Sequence, residues 1–526
     1  MSAVTAKPDG GETAPIDIGS RRELFVDDFL IDEYRGGALL QLHRPVPREV
    51  VIVPDQPWEK TCGYVTVFRD GNRCRMYYYG AVMDVMEFGV ENLYVGYAES
   101  RDGRHWEKPR LGLVEFDGSR NNNIVWKGKA SHGFTVFKDA NPCCPDEEQY
   151  KAIGGVKAKT YAPMPEGSPL STGQRYLFAL KSQDGLQWSL MDGLRKHGAV
   201  LDQAEGDFDS QNLAFWDARR GEYRIYFRMM RDLKFRAERA ATESPEYRVR
   251  DIKTAASADF LNWSTPEFLS YGNAPDEEMY TNGVIPYYRA PHMYLGFPRR
   301  YVEARGPRSE WHRQKAAETP GRSYTSYTDG LFMSSRDGHA FRRWERAFIR
   351  PGMPEDEQWG YGVNTQAWGI VETASDVPGA PNELSFFVSE GNSRPCLRRY
   401  TMRLDGFVSV EAPLSGGEVL TKPLVFEGDG LVLNMATSAA GSISVELQDP
   451  SGVAIPGFAL ADCTEIFGNR LEAAVRWRSG EDVATVAGRA VRIRFVLKDA
   501  DLFAMQFQPR GAKKLIQRQE RGRTET

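Results

Sequence analysis

One heptad recurs along the chain. Ser100-Arg-Asp-Gly-Arg-His-Trp106 returns as Ser182-Gln-Asp-Gly-Leu-Gln-Trp188, Ser257-Ala-Asp-Phe-Leu-Asn-Trp263 and Ser335-Arg-Asp-Gly-His-Ala-Phe341, at offsets of 82, 75 and 78 residues. A degenerate fifth copy, Arg403-Leu-Asp-Gly-Phe407, follows after a further 68. A chain of 526 residues that restates itself at this interval is an array of similar units. A catalytic group is needed once, so five copies of one motif read as architecture. The Asp or Ser oxygen can accept hydrogen bonds from the backbone of a tight turn. Glycine supplies a positive φ, and the aromatic ring packs between units. His105 gives way to Gln187, Asn262 and Ala340 in the later copies, which removes the apparent Ser-Asp-His set of the first.

Each repeat has the same internal grammar. An apolar run, a turn and an aromatic-rich run recur in "GYVTVFRDGNRCRMYYYG", "GFTVFKDANPCCPDEEQYKAIGG", "SQNLAFWDARRGEYRIYFR", "NGVIPYYRAPHMYLGF" and "NTQAWGIVETASDVPGAPNELSFFV". A third strand precedes the heptad ("NLYVGYAES", "RYLFALKS", "GLFMSS") and a fourth follows its aromatic residue. Four strands in each of five repeats predict an all-β chain with a five-bladed β-propeller. Asp70, Asp139 and Asp217 align at the end of the first strand and read as turn residues. Asp27 and Asp28, in "LFVDDFLID", read as a turn or as part of a ring-closing strand. The heptad resembles the Asp box of sialidases and other propellers, which lies on the turn between the two outer strands.

After residue 412 the grammar changes. Ile443, Val445 and Leu447 alternate, as do Val491, Ile493, Phe495 and Leu497, which predicts a C-terminal β-sandwich. The expected division is a flexible N-terminus over 1–20, a catalytic propeller over 21–412, a sandwich over 413–508 and a disordered, charged tail over 509–526.

Composition narrows the function. A net charge of -5 and no basic run before the C-terminal tail argue against a nucleic-acid partner. Mean hydropathy of -0.50 and no apolar run near membrane length argue against a membrane span. The N-terminus has no apolar signal core, so a cytoplasmic location is expected. Six scattered cysteines read as reduced thiols, and the seven histidines form no metal-ligand spacing. No cofactor loop is present, and neither a metal nor a cofactor is expected.

The inner strand of each propeller blade lines a channel, so chemistry is expected on residues that do not repeat, where those strands begin. Glu59 stands there in the first repeat and His132 in the second. Asp207, Asp209 and Asn212 stand there in the third. Glu277, Glu278, Tyr280 and Asn282 follow in the fourth, and Tyr361 and Asn364 in the fifth. The returning second strands add Arg228, Arg299 and Glu390. Acids ringed by amides and aromatics suit glycoside hydrolysis, in which one carboxylic acid protonates the leaving oxygen and a second carboxylate attacks or activates water. Clustered carboxylates also hold one of their number protonated near neutrality. Asp209 and Glu278 are the first two candidates and Glu59 the third. His132, Asn212, Tyr280, Asn282, Arg228, Arg299, Asn364 and Glu390 are expected to bind substrate.

This layout resembles the five-bladed propeller glycosidases of glycoside hydrolase families 32 and 43. Family 32 also appends a β-sandwich. The resemblance implies three acids on the inner strands of the first three blades, with the blade-three position falling on Asp209 and the blade-one position on Glu59. It implies hydrolysis of small oligosaccharides, fructosides or arabinosides foremost. The Trp-Met-Asn-Asp-Pro-Asn-Gly, Arg-Asp-Pro and Glu-Cys stretches of family 32 are absent, and blade two carries His132 where an acid stands in the family. Two other readings remain. A sialidase-like exo-glycosidase would use an arginine triad, for which Arg228, Arg299 and Arg394 are available. A non-catalytic carbohydrate-binding propeller would need no close acid pair. The sequence leaves the oligomeric state open.

Overall fold

The computed structural model describes residues 14–81, 93–157, 175–193, 198–202, 204–232, 248–303, 305–318 and 324–509. Backbone contacts divide the chain into two compact units, one of residues 44–404 and one combining 1–43 with 405–526. The described residues are nearly all β.

In the 44–404 unit the repeats are antiparallel sheets in chain order. The first runs Gly63–Asp70, Arg73–Ala81, Leu93–Ser100, Ile124–Lys127. The second runs His132–Lys138, Tyr150–Lys157, Arg175–Ser182, Ser189–Leu190, with Leu201–Asp202 also on its third strand. The third runs Leu213–Asp217, Glu222–Asp232, Arg248–Ser257, Glu267–Phe268. The fourth repeat splits into two sheets. Ala290–Gly296 and Arg299–Val302, one run in the sequence, are separated at Phe297 and Pro298, because proline has no N–H for the ladder.

The fifth sheet is completed out of chain order. Glu383–Glu390 and Cys396–Arg403 pair, and Val46–Ile52, from ahead of the first repeat, forms the outer strand on Cys396–Arg403. Asp27 and Asp28 are not in this closing strand. Asp27 accepts the Phe29 N–H and Asp28 accepts the Tyr34 hydroxyl, which is the turn alternative. The first and fifth repeats also meet at their first strands, where Val67 N–H donates to Trp368 O and Trp368 N–H to Val65 O, both at 2.8 Å. A Cβ on Gly369 would stand 1.8 Å from Val67 O, so only glycine permits this approach.

The heptad turns are built alike and join the third strand to the fourth. Asp102 Oδ1 accepts the N–H groups of Arg104 and His105, Ser100 Oγ accepts that of Gly103, and Trp106 Nε1 donates to Gly103 O. Asp184, Asp259 and Asp337 hold their turns in the same way. In the third copy Phe260 replaces glycine and still adopts φ 69°, because its ring is buried against Phe137, Tyr223 and Trp263. The fifth copy departs from the pattern, with Asp405 accepting from Arg22 at 3.2 Å and Asn434 at 3.0 Å.

The first-strand aspartates do more than end strands. Each accepts a tyrosine hydroxyl from the second strand of the next repeat: Tyr150 to Asp70 at 2.6 Å, Tyr223 to Asp139 at 2.6 Å, and Tyr294 to Asp217. Tyr77 and Tyr226 reach one repeat onward as well, donating to Gly185 O and Gly338 O in the heptad turns. Apolar clusters fill between successive sheets, as where Tyr77, Val95 and Tyr97 meet Phe134, Ala152 and Phe178. Both faces of each sheet are thereby covered, which explains the unbroken apolar runs of the middle strands.

The unit of 1–43 and 405–526 holds an eight-stranded sheet with the order Ile31–Gly36, Gly417–Thr421, Arg492–Gln508, Val408–Ala412, Leu39–Leu42 along its main path. Gly430–Gln448, Asn469–Ala474 and Arg22–Leu24 complete it. The alternating residues Ile443, Val445, Leu447, Val491, Ile493, Phe495 and Leu497 are all buried in its core. The N-terminal strands, grouped with the first domain on sequence grounds, pair here because their partners Gly417–Thr421 and Arg492–Gln508 lie in this unit. Ile16–Gly19, within the stretch expected to be flexible, pairs in parallel with Leu424–Phe426. Residues 1–13 and the tail from 510 lie outside the described residues.

Candidate active site

The loop that leads into Leu213–Asp217 carries Asp207 and Asp209. Asn212 staples this loop, its Nδ2 donating to Phe208 O and Ser210 O at 3.1 Å and its Oδ1 accepting the Arg228 N–H at 3.3 Å. Gly133, at φ 65°, lets His132–Lys138 approach the loop. A Cβ there would stand 2.4 Å from Ser210 O. The result is that His132 Nε2 lies 3.7 Å from Asp209 Oδ1. Both side chains keep some exposure, 18% and 16%.

Arg228, on the second strand of the same sheet, faces the loop. Its Nη2 lies 2.7 Å from Asp207 Oδ2 and 3.5 Å from Asp209 Oδ2. The two carboxyl oxygens are therefore no further apart than the sum of those distances. The imidazole of His132 is met edge-on by Tyr64 and Tyr79, at centroid distances of 5.2 and 5.7 Å. Tyr64 holds φ 47°, a strained conformation for a non-glycine residue.

Tyr280 occupies the centre of an arginine cluster. The guanidinium carbons of Arg299, Arg228 and Arg250 lie 4.2, 5.1 and 5.2 Å from its ring centroid, and its hydroxyl is hydrogen-bonded to that of Tyr361. Burial pushes the Tyr280 phenol up, but Arg228 and Arg299 favour the phenolate more strongly and bring it down to about 8. Tyr64 goes the other way. Burial, with Tyr280 nearby, raises it well above the ordinary tyrosine value.

The other expected site residues fall in separate places. Glu278 is buried and accepts Arg250 Nη1 at 2.6 Å, so it reaches the Tyr280 surroundings through that arginine. Glu59 is buried elsewhere, between the Tyr78 hydroxyl and Lys108 Nζ, the latter at 2.5 Å. Glu390 accepts Arg398, Gln358 and Tyr400. Asn282 and Asn364 donate to backbone carbonyls, of Tyr226 and of Thr328 and Gln358. Arg394 is engaged through its N–H with Glu357 and does not complete the arginine cluster; Arg250 does. Sequence reasoning missed Tyr64, Tyr79 and Arg250. Arg250 lies on a third strand, Arg248–Ser257, away from the first-strand starts and second-strand returns where the sequence points to chemistry. Tyr64 and Tyr79 look like ordinary members of an apolar run.

Asp209, beside the His132 imidazole, is placed to accept or donate a proton, Tyr280 can donate or hold one near neutral pH, and the arginines can stabilise negative charge. Among the described residues no three His, Cys, Asp or Glu side chains converge as metal ligands, and no helix is long and apolar enough to cross a membrane.

No family model matches the sequence, and no curated protein matches it. The chain is similar to solved structures of carbohydrate-active enzymes. A glycoside hydrolase aligns at TM-score 0.41 and 13% identity, over 68% of this chain and 92% of that one. A β-1,2-mannobiose phosphorylase from Listeria innocua aligns at 0.40 and 11%, over 68% and 96%. A fructofuranosidase from Schwanniomyces occidentalis, complexed with fructosylnystose, aligns at 0.37 and 12%, over 88% and 96%. At these TM-scores the likenesses carry no weight in assigning the site, whose reading rests on its own geometry.

Proposed function

We propose that the 44–404 unit is a five-bladed propeller that cleaves glycosidic bonds of small oligosaccharides, with Asp209 as its central carboxylate. The repeating sheets, the strand Val46–Ile52 completing the fifth, and the two hydrogen bonds between Trp368 of repeat five and the first strand of repeat one support the ring. The same reading takes the curled sheet of the other unit as a β-sandwich.

The observation that carries the catalytic reading is the partly exposed Asp209, 3.7 Å from His132 and 3.5 Å from Arg228, beside a tyrosine of lowered pKa. Glu278 and Glu59 are each tied into a buried ion pair, with Arg250 and Lys108. The acid–base work therefore falls on Asp209, with His132 orienting it, and on Tyr280. In hydrolysis, water adds to the anomeric carbon as the bond to the leaving oxygen breaks. The water proton passes to Asp209 and the Tyr280 hydroxyl proton to the leaving oxygen. Glu278 acts as a positioning residue through Arg250.

A screen of aryl glycosides and oligosaccharides, fructosides and arabinosides first, tests this reading. Cleavage by the wild type, lost in both Asp209→Asn and Tyr280→Phe, is the expected result. Wild-type rates in both variants would overturn it.

A further inference from the structure

Buried arginines need a counter-charge, because removing a guanidinium from water without one is costly. Among the described residues Arg22, Arg228, Arg343 and Arg399 are buried and each meets a carboxylate: Asp405, Asp207, Glu277 and Glu49. Arg299 is the exception. It is 5% exposed, and its hydrogen bonds go to Thr365 Oγ1 at 2.6 Å and Gly362 O at 3.4 Å, both neutral and both from Nη1. Its Nε is buried with no hydrogen-bond partner. The two carboxylates of the nearby loop, Asp207 and Asp209, face Arg228 instead.

We infer that Arg299 binds an oxyanion, either the carboxylate of an acidic sugar or a phosphate group, within the substrate site. This rests on the reading of that site as carbohydrate-cleaving. The Nε–Nη2 edge of a guanidinium is a planar fork that matches two oxygens of a carboxylate or phosphate, and its Nε lies without a hydrogen-bond partner here. The face of Arg299 lies on Tyr280, so a bound oxyanion would stand beside the phenol and the Asp209 loop. The charge that now draws the Tyr280 proton off would then be answered by the ligand. Tyr280 would keep its proton to higher pH, which suits a proton donor.

Calorimetric titration of the full chain with glucuronate, inorganic phosphate and glucose tests the inference. At least one anion is expected to bind wild type about tenfold or more tighter than glucose, and Arg299→Met to lose that margin. Glucuronate alone places the charge on the sugar, and phosphate alone places it on a separate co-substrate. Equal binding of all three probes to wild type overturns the inference even where Arg299→Met does not fold, as does an unchanged margin in a folded Arg299→Met. The two readings fail separately. Cleavage of neutral glycosides by wild type that binds neither glucuronate nor phosphate more tightly than glucose removes the oxyanion site and leaves the glycosidase. Arg299-dependent anion binding with no glycoside cleaved does the reverse.

Discussion

Asp209 Oδ1 faces Nε2 of His132 at 3.7 Å while its Oδ2 faces Arg228 at 3.5 Å, so one partly exposed carboxylate is held from two neighbouring sheets. Replacing Asp209 by Asn removes the charge and leaves Arg228 paired with Asp207 at 2.7 Å. Activity on any substrate found is expected to fall about 10²- to 10⁴-fold, as for loss of a general acid–base group. The melting temperature should change little. Steady-state kinetics beside a thermal melt checks both.

Tyr280 ionises at about 8 in the folded chain, against an ordinary value of 10.0. A depressed acid contributes stability that is fully present above its unfolded value and is lost as pH falls through the folded one. Wild type should therefore gain stability relative to Tyr280→Phe as pH rises from 8 to 10. Near-ultraviolet absorbance should show one tyrosinate forming near pH 8, missing in Tyr280→Phe and moved upward in Arg299→Met.

Asp139 is structural. It accepts Lys151 Nζ and the Tyr223 hydroxyl, both at 2.6 Å, and Lys151 and Asp139 have side-chain exposures of 2% and 0%. Asp139→Ala leaves the buried Lys151 ammonium with the more distant Glu148 Oε2, at 3.4 Å, as its carboxylate partner and is expected to cost about 1–3 kcal/mol. Urea unfolding measures this. A drop in catalytic rate without loss of stability would place Asp139 in the chemistry instead.

The heptad aspartates should govern acid stability. For Asp184 and Asp337, burial is the largest single influence and raises the carboxyl, but the turn N–H groups and the Ser182 or Ser335 hydroxyl together hold it below the ordinary value. Asp259 is brought down to about 2 by the same competition, with Asn262 donating. Folded pKa values below the unfolded ones mean stability that is present above about pH 4 and lost as pH falls through the folded values. Asp184→Asn should cost about 1 kcal/mol at neutral pH, less at acid pH, with activity unchanged. Denaturant melts across that range check it.

The repeating elements were legible from sequence because they depend on neighbours. The heptad turns close through bonds between Asp102 and residues two and three positions on, and the same local logic holds at Asp184, Asp259 and Asp337. Ile443, Val445 and Leu447 likewise alternate because a strand does. Phe260 shows the limit of that logic. The turn asks for glycine, and burial of an aromatic ring outweighs it.

What sequence could not supply are contacts between residues far apart in the chain. The outer strand of the fifth sheet comes from 46–52, some 350 residues from its partner, and nothing in "VPREVVI" states which edge it joins. Glu59 and Glu278 stand where acids were sought, yet Lys108 and Arg250 hold them in ion pairs, while Asp209 keeps an exposed face. Local sequence set the turns, the strands and the positions from which chemistry could come. Tertiary structure decided which charges meet, because pairing, burial and hence proton affinity depend on distances across sheets.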